Sequence, residues 1–380
     1  MAEVQDIFRD HIATYRQNHI LSPDQAKVVN AILSCRTSAL GAHVDTCNEC
    51  GYQKISYNSC RNRHCPKCQT FVKEQWVEKQ NQYLLNTNYF HVVFTMPDEL
   101  NTIVLRNQKA AYSLFFKAVS ETLLELCADK KHLGATPGIT AVLHTWGQNL
   151  TFHPHMHCIV TGGGLTKDRA WRASRKKFFI PVKVLSRKFR GKFLSYLKRA
   201  GLSFGAALYQ KEWIVYCKPP FGNTQNVINY LRRYTHRVAI SNHRIIKSED
   251  GLVAFRWKDY SDGNKQKVMQ IAAVEFIRRF LIHTLPKGFR KIRHYGILAS
   301  RDKSARISLC KRLTRTAFSA AKVPLTTIER LRNMFGADFD LCPRCGNGHL
   351  ARASPSKETA FRKVSSLGRG EMCLLSDILS

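Results

Sequence analysis

From Phe152 to Val160 the chain reads Phe-His-Pro-His-Met-His-Cys-Ile-Val, with His153, His155 and His157 each two residues apart. In an extended strand that spacing puts all three imidazoles on one face. Crowded imidazoles are hard to keep neutral and hydrogen-bonded unless something such as a metal ion uses their lone pairs, so this run constrains the fold strongly. A second strand-like run, Ile139–Trp146, precedes it across Gly147-Gln148-Asn149, and an antiparallel hairpin is the simplest connection. The hairpin returns His144 to within a residue or two of facing the trio. The result is a three-histidine pocket with open coordination positions, which can polarise a substrate phosphate oxygen; a closed structural metal site is the competing reading.

Around this hairpin the patterning predicts an initial helix and a second one from Asp24 to about Leu33, N-capped by Ser22. It also predicts a helix over Thr70–Leu85, a strand from Tyr89 closed by Pro97, and a helical stretch from Glu99 to Cys127. The Gly162-Gly163-Gly164 run is expected to end the histidine strand. Beyond it come a basic helix over Lys183–Leu202, a strand at Trp213–Cys217 and a short helix over Asn223–Tyr234. Strands at Val238–Ser241 and Val253–Trp257 and a helix at Ala273–Leu281 follow. Ala351–Ser380 reads as a weakly ordered basic tail.

Thirteen cysteines would suggest disulfides in a small secreted domain, but in a chain of 380 residues their close pairing favours metal. Cys47-x2-Cys50 and Cys65-Pro-Lys-Cys68 supply two chelating pairs for one tetrahedral zinc, with Cys60 and His64 between them as alternative ligands. The segment holding them is too poor in apolar residues to fold unaided. Cys342-Pro-Arg-Cys345 is a further half-site, either an orphan turn or a second zinc site completed by His349, Cys310 or Cys373.

With 44% hydrophobic residues the chain can bury a substantial core, and its length suits two or three domains. The formal net charge of +33 far exceeds what solubility needs and points to a polyanion, nucleic acid first. Between Arg169 and Ser248 there are 19 Lys and Arg against one acid, Glu212, the pattern of a phosphate-facing surface. Phe178, Phe179, Phe189, Phe193 and Tyr196 are candidate base-stacking platforms within it, some of them simply core aromatics. No stretch approaches the ~18–20 apolar residues of a membrane span, and Met1 to Asn18 carries no apolar run or cleavage site. The expectation is an unexported cytoplasmic protein with no membrane partner.

Tyr230 and Tyr234 stand four apart, so a helix would place them on one face, beside Arg232, Arg233 and Arg237. A phenol of pKa ~10 becomes a nucleophile only where cations or a metal stabilise the phenolate, and no acid lies nearby.

The chain resembles the rolling-circle transposases of insertion sequence 91, in the HUH superfamily of single-strand nucleases. The resemblance rests on His155-Met156-His157 and on Ser59-Cys60-Arg61-Asn62-Arg63-His64-Cys65-Pro66, Phe90-His91-Val92-Val93-Phe94-Thr95 and His144-Thr145-Trp146-Gly147-Gln148. It extends through Tyr230–Asn242, Leu285-Pro286-Lys287-Gly288-Phe289 and Arg293-His294-Tyr295-Gly296. It implies a Mg²⁺ or Mn²⁺ held by His144, His155 and His157, with His153 as the substitute ligand. It further implies Tyr230 and Tyr234 as paired nucleophiles forming a 5′-phosphotyrosine link, and Arg232, Arg233 and Arg237 as DNA contacts. Structural zinc and single-stranded and element-end DNA complete its ligands. A replication initiator or relaxase, or a non-catalytic zinc-dependent DNA-binding protein, are the alternatives. The implied fold is α+β, an antiparallel sheet with the HUH strand central and helices packed on it. Residues 1–85 would form a helical, zinc-binding domain, 86–300 the nuclease domain, 301–350 a helical segment with the last knuckle, and 351–380 the tail.

Overall fold

Two helices open the chain, α1 (Val4–Asn18) and α2 (Pro23–Leu33), in a computed structural model that describes residues 2–175, 179–221, 226–228, 232, 238–260, 262–317 and 325–352. Ser22 caps α2 reciprocally with Gln25, at 3.2 Å and 2.9 Å, and Pro23 suits its first position. A hairpin of β1 (Ala42–Cys47) and β2 (Gln53–Tyr57) follows. Helix α3 (Pro66–Asn81) starts earlier than expected because Pro66 fixes its first turn. Next come β3 (Tyr89–Thr95), α4 (Asn101–Arg106) and α5 (Gln108–Ala128). The single helix expected over Glu99–Cys127 is broken at Asn107, whose amide donates to the Ile103 carbonyl at 3.1 Å and competes with the helical ladder.

The chain continues through β4 (Thr136–Trp146), β5 (Phe152–Leu165), β6 (Trp171–Ala173), α6 (Val182–Arg199) and β7 (Val215–Phe221). It then forms β8 (Ile245–Glu249), β9 (Leu252–Asp259), β10 (Lys265–Ala272), α7 (Ala273–Leu281) and β11 (Ile292–Gly296). Helices α8 (Lys303–Leu313) and α9 (Thr327–Phe335) and strand β12 (Leu350–Arg352) complete it. Among the described residues no helix is long and apolar enough to cross a membrane.

The principal sheet is antiparallel, in the order β11-β4-β5-β3-β7, with β6 added to β5. Its strands divide their residues by parity. Phe90, Val92, Phe94, Ile139, Ala141, Leu143, Met156, Cys158 and Val160 enter one core with α5 and α6. Their sequence neighbours His91, Val93, His144, His155, His157 and Ile159 alternate with them and face the other way. Contrary to the expected stop, the glycine run continues β5: a Cβ on Gly162 would come within 2.7 Å of the Asn88 carbonyl oxygen, and one on Gly164 within 2.5 Å of that of Thr136. These glycines admit a close backbone crossing rather than a turn.

A second core joins α1, α2 and α7 to the sheet β8-β9-β10, with Phe8 edge-on to Phe280 at 5.3 Å. Full burial of such side chains is worth roughly 1.5–3 kcal/mol each, against about 1 kcal/mol for a helix cap, so packing onto residues 239–281 holds the N-terminal helices. Val238–Ser241, expected as a strand, is irregular; Ala239 and Ile240 are buried by packing without strand pairing.

His283 fastens α7 to the β4–β5 turn: its Nε2–H donates to the Leu150 carbonyl at 3.1 Å and its Nδ1 accepts from Thr145 Oγ1 at 3.1 Å. Burial pushes its pKa down to about 4, and burial and then Lys303 do the same to His294. Both are neutral in the fold and take up a proton near pH 6.5 once unfolded. Stability is therefore full above about pH 6.5 and declines as pH falls toward 4, by about 1.4 kcal/mol per pH unit per histidine. Urea titrations at pH 7, 6 and 5 should show this loss, and His283→Gln should make the pH dependence shallower.

Candidate active site and metal centres

The β4–β5 register sets His144 opposite His155, and His157 follows two residues on along the same face. Ligand nitrogens of His144, His155 and His157 all lie within 4.8 Å of one another. His155 Nδ1 donates to the His153 carbonyl at 2.7 Å, which fixes the tautomer and leaves its Nε2 lone pair for a metal. Burial lowers the His155 pKa to about 4, so the ring is neutral and ready to coordinate at neutral pH. The donor set fits a divalent ion with open positions. His153 is not part of the group: its own ring turns to Asp98, Nδ1 to Oδ1 3.7 Å, and it contributes only its carbonyl.

Sequence reasoning assigned no role to His91, from the neighbouring strand β3, whose Nε2 lies 3.0 Å from His157 Nδ1. Burial, followed by Lys218 and His155, lowers its pKa to about 3, so it meets His157 as a neutral ring. His91 has the parity of the site-facing residues of β3, but only the strand register reveals that it reaches His157. His144 stacks on Trp146, ring centroids 4.7 Å apart, which restricts its rotation.

Helix α3 covers the histidine face. Val77 from α3 shares a buried cluster with Tyr89, Ile159 and Val227, and Trp76 stacks near His294 at 6.4 Å. Glu74 pairs with Arg232 at 2.9 Å. Tyr230, Tyr234, Arg233 and Arg237 lie outside the described residues.

Within the basic segment, the aromatic side chains are disposed differently from expectation. Leu185, Phe189, Phe193 and Leu197 put the apolar stripe of α6 into the core on the sheet face opposite the histidines. Phe189 and Phe193 are fully buried and Phe179 nearly so, while Tyr196 hydrogen-bonds Glu121, so these aromatics are packing rather than base platforms. Phe178 lies outside the described residues. Lys188 and Lys192 pair with Glu125 at 2.9 and 2.6 Å.

The cysteines form two tetrads, and neither is the one expected. Cys65 and Cys68, at the start of α3, meet Cys35 and Cys60; Cys47 and Cys50, at the β1–β2 turn, meet Cys342 and Cys345. The pairing Cys47, Cys50, Cys65, Cys68 is corrected because the hairpin carries the first pair away from α3, while α2 ends with Cys35 beside it. Zn–S bonds of about 2.3 Å imply tetrahedral S···S edges of about 3.8 Å. In the first tetrad Cys35–Cys68, Cys60–Cys68 and Cys35–Cys65 are each 3.6 Å; in the second, Cys47–Cys345 is 3.8 Å and Cys50–Cys342 is 3.7 Å. Both fit zinc. His64 instead accepts from the Leu285 backbone N–H at 3.4 Å, and burial lowers its pKa to about 3. Cys310 is buried in a separate cluster, His349 turns to Asp340 at 3.1 Å, and Cys373 lies outside the described residues.

Residues 138–306 match the family described as "Putative transposase", and residues 7–96 match "Transposase zinc-binding domain". The chain is 46% identical to "Putative transposase y4qJ" of Sinorhizobium fredii (strain NBRC 101917 / NGR234), over 92% of this chain and 94% of that one. It is 29% identical to the "Transposase for insertion sequence element IS801" of Pseudomonas savastanoi pv. phaseolicola, covering 73% of this chain and 71% of the relative. The chain belongs to the insertion sequence 91 family of transposases. Among solved structures, the conjugative relaxase TrwC in complex with mutant OriT DNA aligns over 60% of this chain and 75% of its own, at 10% identity and a TM-score of 0.26.

Proposed function

We propose that this transposase cuts and rejoins single-stranded DNA by transesterification, in rolling-circle transposition within the bacterial cytoplasm. The observation that carries the reading is the convergence of His144, His155 and His157 on one sheet face. Further support comes from either side of Tyr230 in sequence: Val227 is buried in the cluster that also holds Ile159 of that face and Val77 of α3, and Arg232 pairs with Glu74 of α3.

Mg²⁺ or Mn²⁺ bound by the three histidines would offset charge on the scissile phosphate. The protein positions the reacting groups. The β4–β5 register fixes His144 and His155, and the His153 carbonyl holds the tautomer of His155. A tyrosine oxygen, Tyr230 or Tyr234, attacks phosphorus in line; the bond to the 3′-oxygen breaks and that oxygen takes up a proton. The product is a 5′-phosphotyrosine and a free 3′-OH, which conserves the ester bond for rejoining. A second tyrosine lets one site hold one end while it cuts another. Arg232, Arg233 and Arg237 are positively charged groups suited to phosphate contacts.

Incubating the full chain with labelled single-stranded element-end DNA and Mn²⁺ tests this. A detergent-stable adduct should form, peptide mapping should place it on Tyr230 or Tyr234, and the Tyr230→Phe/Tyr234→Phe double variant should form none. An undiminished adduct in that variant rejects these nucleophiles; no adduct in the wild type rejects the chemistry.

A further inference from the structure

We infer that the Cys47, Cys50, Cys342 and Cys345 tetrad is a second zinc site, and that it acts as a clasp holding the segment around residues 338–352 against the N-terminal hairpin. Residues 342–345 lie beyond both matched regions, 7–96 and 138–306, so half of its ligands are outside the recognised zinc-binding domain.

The backbone around the four thiols is built for a metal. Cys345 Sγ accepts the Gly348 backbone N–H at 3.3 Å. A Cβ on Gly348 would stand 2.5 Å from Cys47 Sγ, so the two halves meet where only glycine fits. The Cys342 N–H donates to the Gly348 carbonyl at 2.7 Å and the Gly346 N–H to the Cys342 carbonyl at 2.9 Å, closing the knuckle. Across the joint β12 pairs with β1, Cys47 opposite Leu350, and the Asn48 N–H donates to the His349 carbonyl at 3.1 Å.

Among the described residues, little else holds this segment beyond the Arg330–Glu78 ion pair at 2.9 Å and the His349 N–H donated to Asn48 Oδ1 at 2.7 Å. Helix α9 buries no residue, and the apolar cluster at the joint consists of Cys47, Cys342 and Leu350 with Tyr52 and Cys345 against it. A three-residue strand and so small a cluster cannot offset the ordering of a segment nearly three hundred residues distant in sequence. A tetrathiolate zinc can, since structural zinc contributes its binding free energy directly to folding.

Metal counting on the full-length protein tests the clasp without reference to DNA cleavage. Purified wild type should release two zinc ions per chain, and Cys342→Ser/Cys345→Ser one, with an unchanged circular dichroism spectrum and faster proteolysis beyond Leu313. Because a knuckle variant could misfold locally, Cys50→Ser, at an exposed thiol, serves as the second variant and should also retain one zinc. Cobalt loading should give two tetrathiolate equivalents of sulfur-to-metal charge-transfer absorption in the wild type and one in either variant. A single zinc in the wild type, or two in both variants, overturns the clasp; neither result touches the tyrosine chemistry.

Discussion

On the proposed mechanism, His157→Ala should lower metal-dependent strand cleavage by roughly 10²–10³-fold, the scale of losing one preorganised charge-stabilising group, while the protein remains folded. His157 is the histidine of the triad most enclosed by the others. Its ring centroid lies 4.7 Å from that of His144 and 4.9 Å from that of His155, and His91 touches it from β3. Truncating it therefore removes a donor and also releases His91. His153→Ala is the control, since only the carbonyl of that residue serves the site and the substitution keeps it; its cleavage rate should stay within a few-fold of wild type. Single-turnover cleavage with Mn²⁺, alongside thermal melting and calorimetric Mn²⁺ binding, measures both. Wild-type rates in His157→Ala would remove the triad from the mechanism.

The second large effect lies in the other tetrad. Cys65 is nearly inaccessible and belongs to the core shared by α1, α2 and α7. Cys65→Ser should abolish zinc binding at that tetrad and destabilise the whole protein by several kcal/mol, because losing the metal also loosens the packing of α2 and α3. Loss at the Cys342 knuckle should cost much less, since its surroundings are peripheral. Thermal melts with zinc analysis compare the two; equal, small shifts would show that the inner tetrad carries no stability.

The histidine site was legible because two local rules sufficed. Period-two alternation put His155 and His157 on one face, and the glycine-bearing turn after Trp146 brought back His144. The cysteine grouping was not legible, because adjacent pairs were expected to share one metal whereas the chain interleaves them. Cys35 is a single cysteine with no partner at chelating spacing, and Cys342 reaches Cys50 only after the whole nuclease sheet has been laid down. The aromatic residues of the basic segment belong to a core, which charge density alone does not reveal. The i, i+4 stripe Leu185, Phe189, Phe193, Leu197 was in the sequence and already assigned one side of α6 to a core. The glycine triplet was misread because a residue that permits turns also permits crowding, and only the neighbouring strands decide which.

Helix α3 starts in one tetrad, at Cys65 and Cys68, and its later turns carry Trp76 to His294, Val77 to Ile159 on the histidine-bearing face of the sheet, and Glu74 to Arg232. Just before it, Arg63 donates to the carbonyls of Leu285 and Pro286 at 3.0 and 2.7 Å. A chimera that grafted the first eighty residues of a distant relative onto the rest of this chain would therefore import foreign packing on the histidine-bearing face of the sheet. Recombination between such elements should be tolerated where the helix and the loop beneath it travel together, which ties the inheritance of the zinc module to that of the residues it shelters.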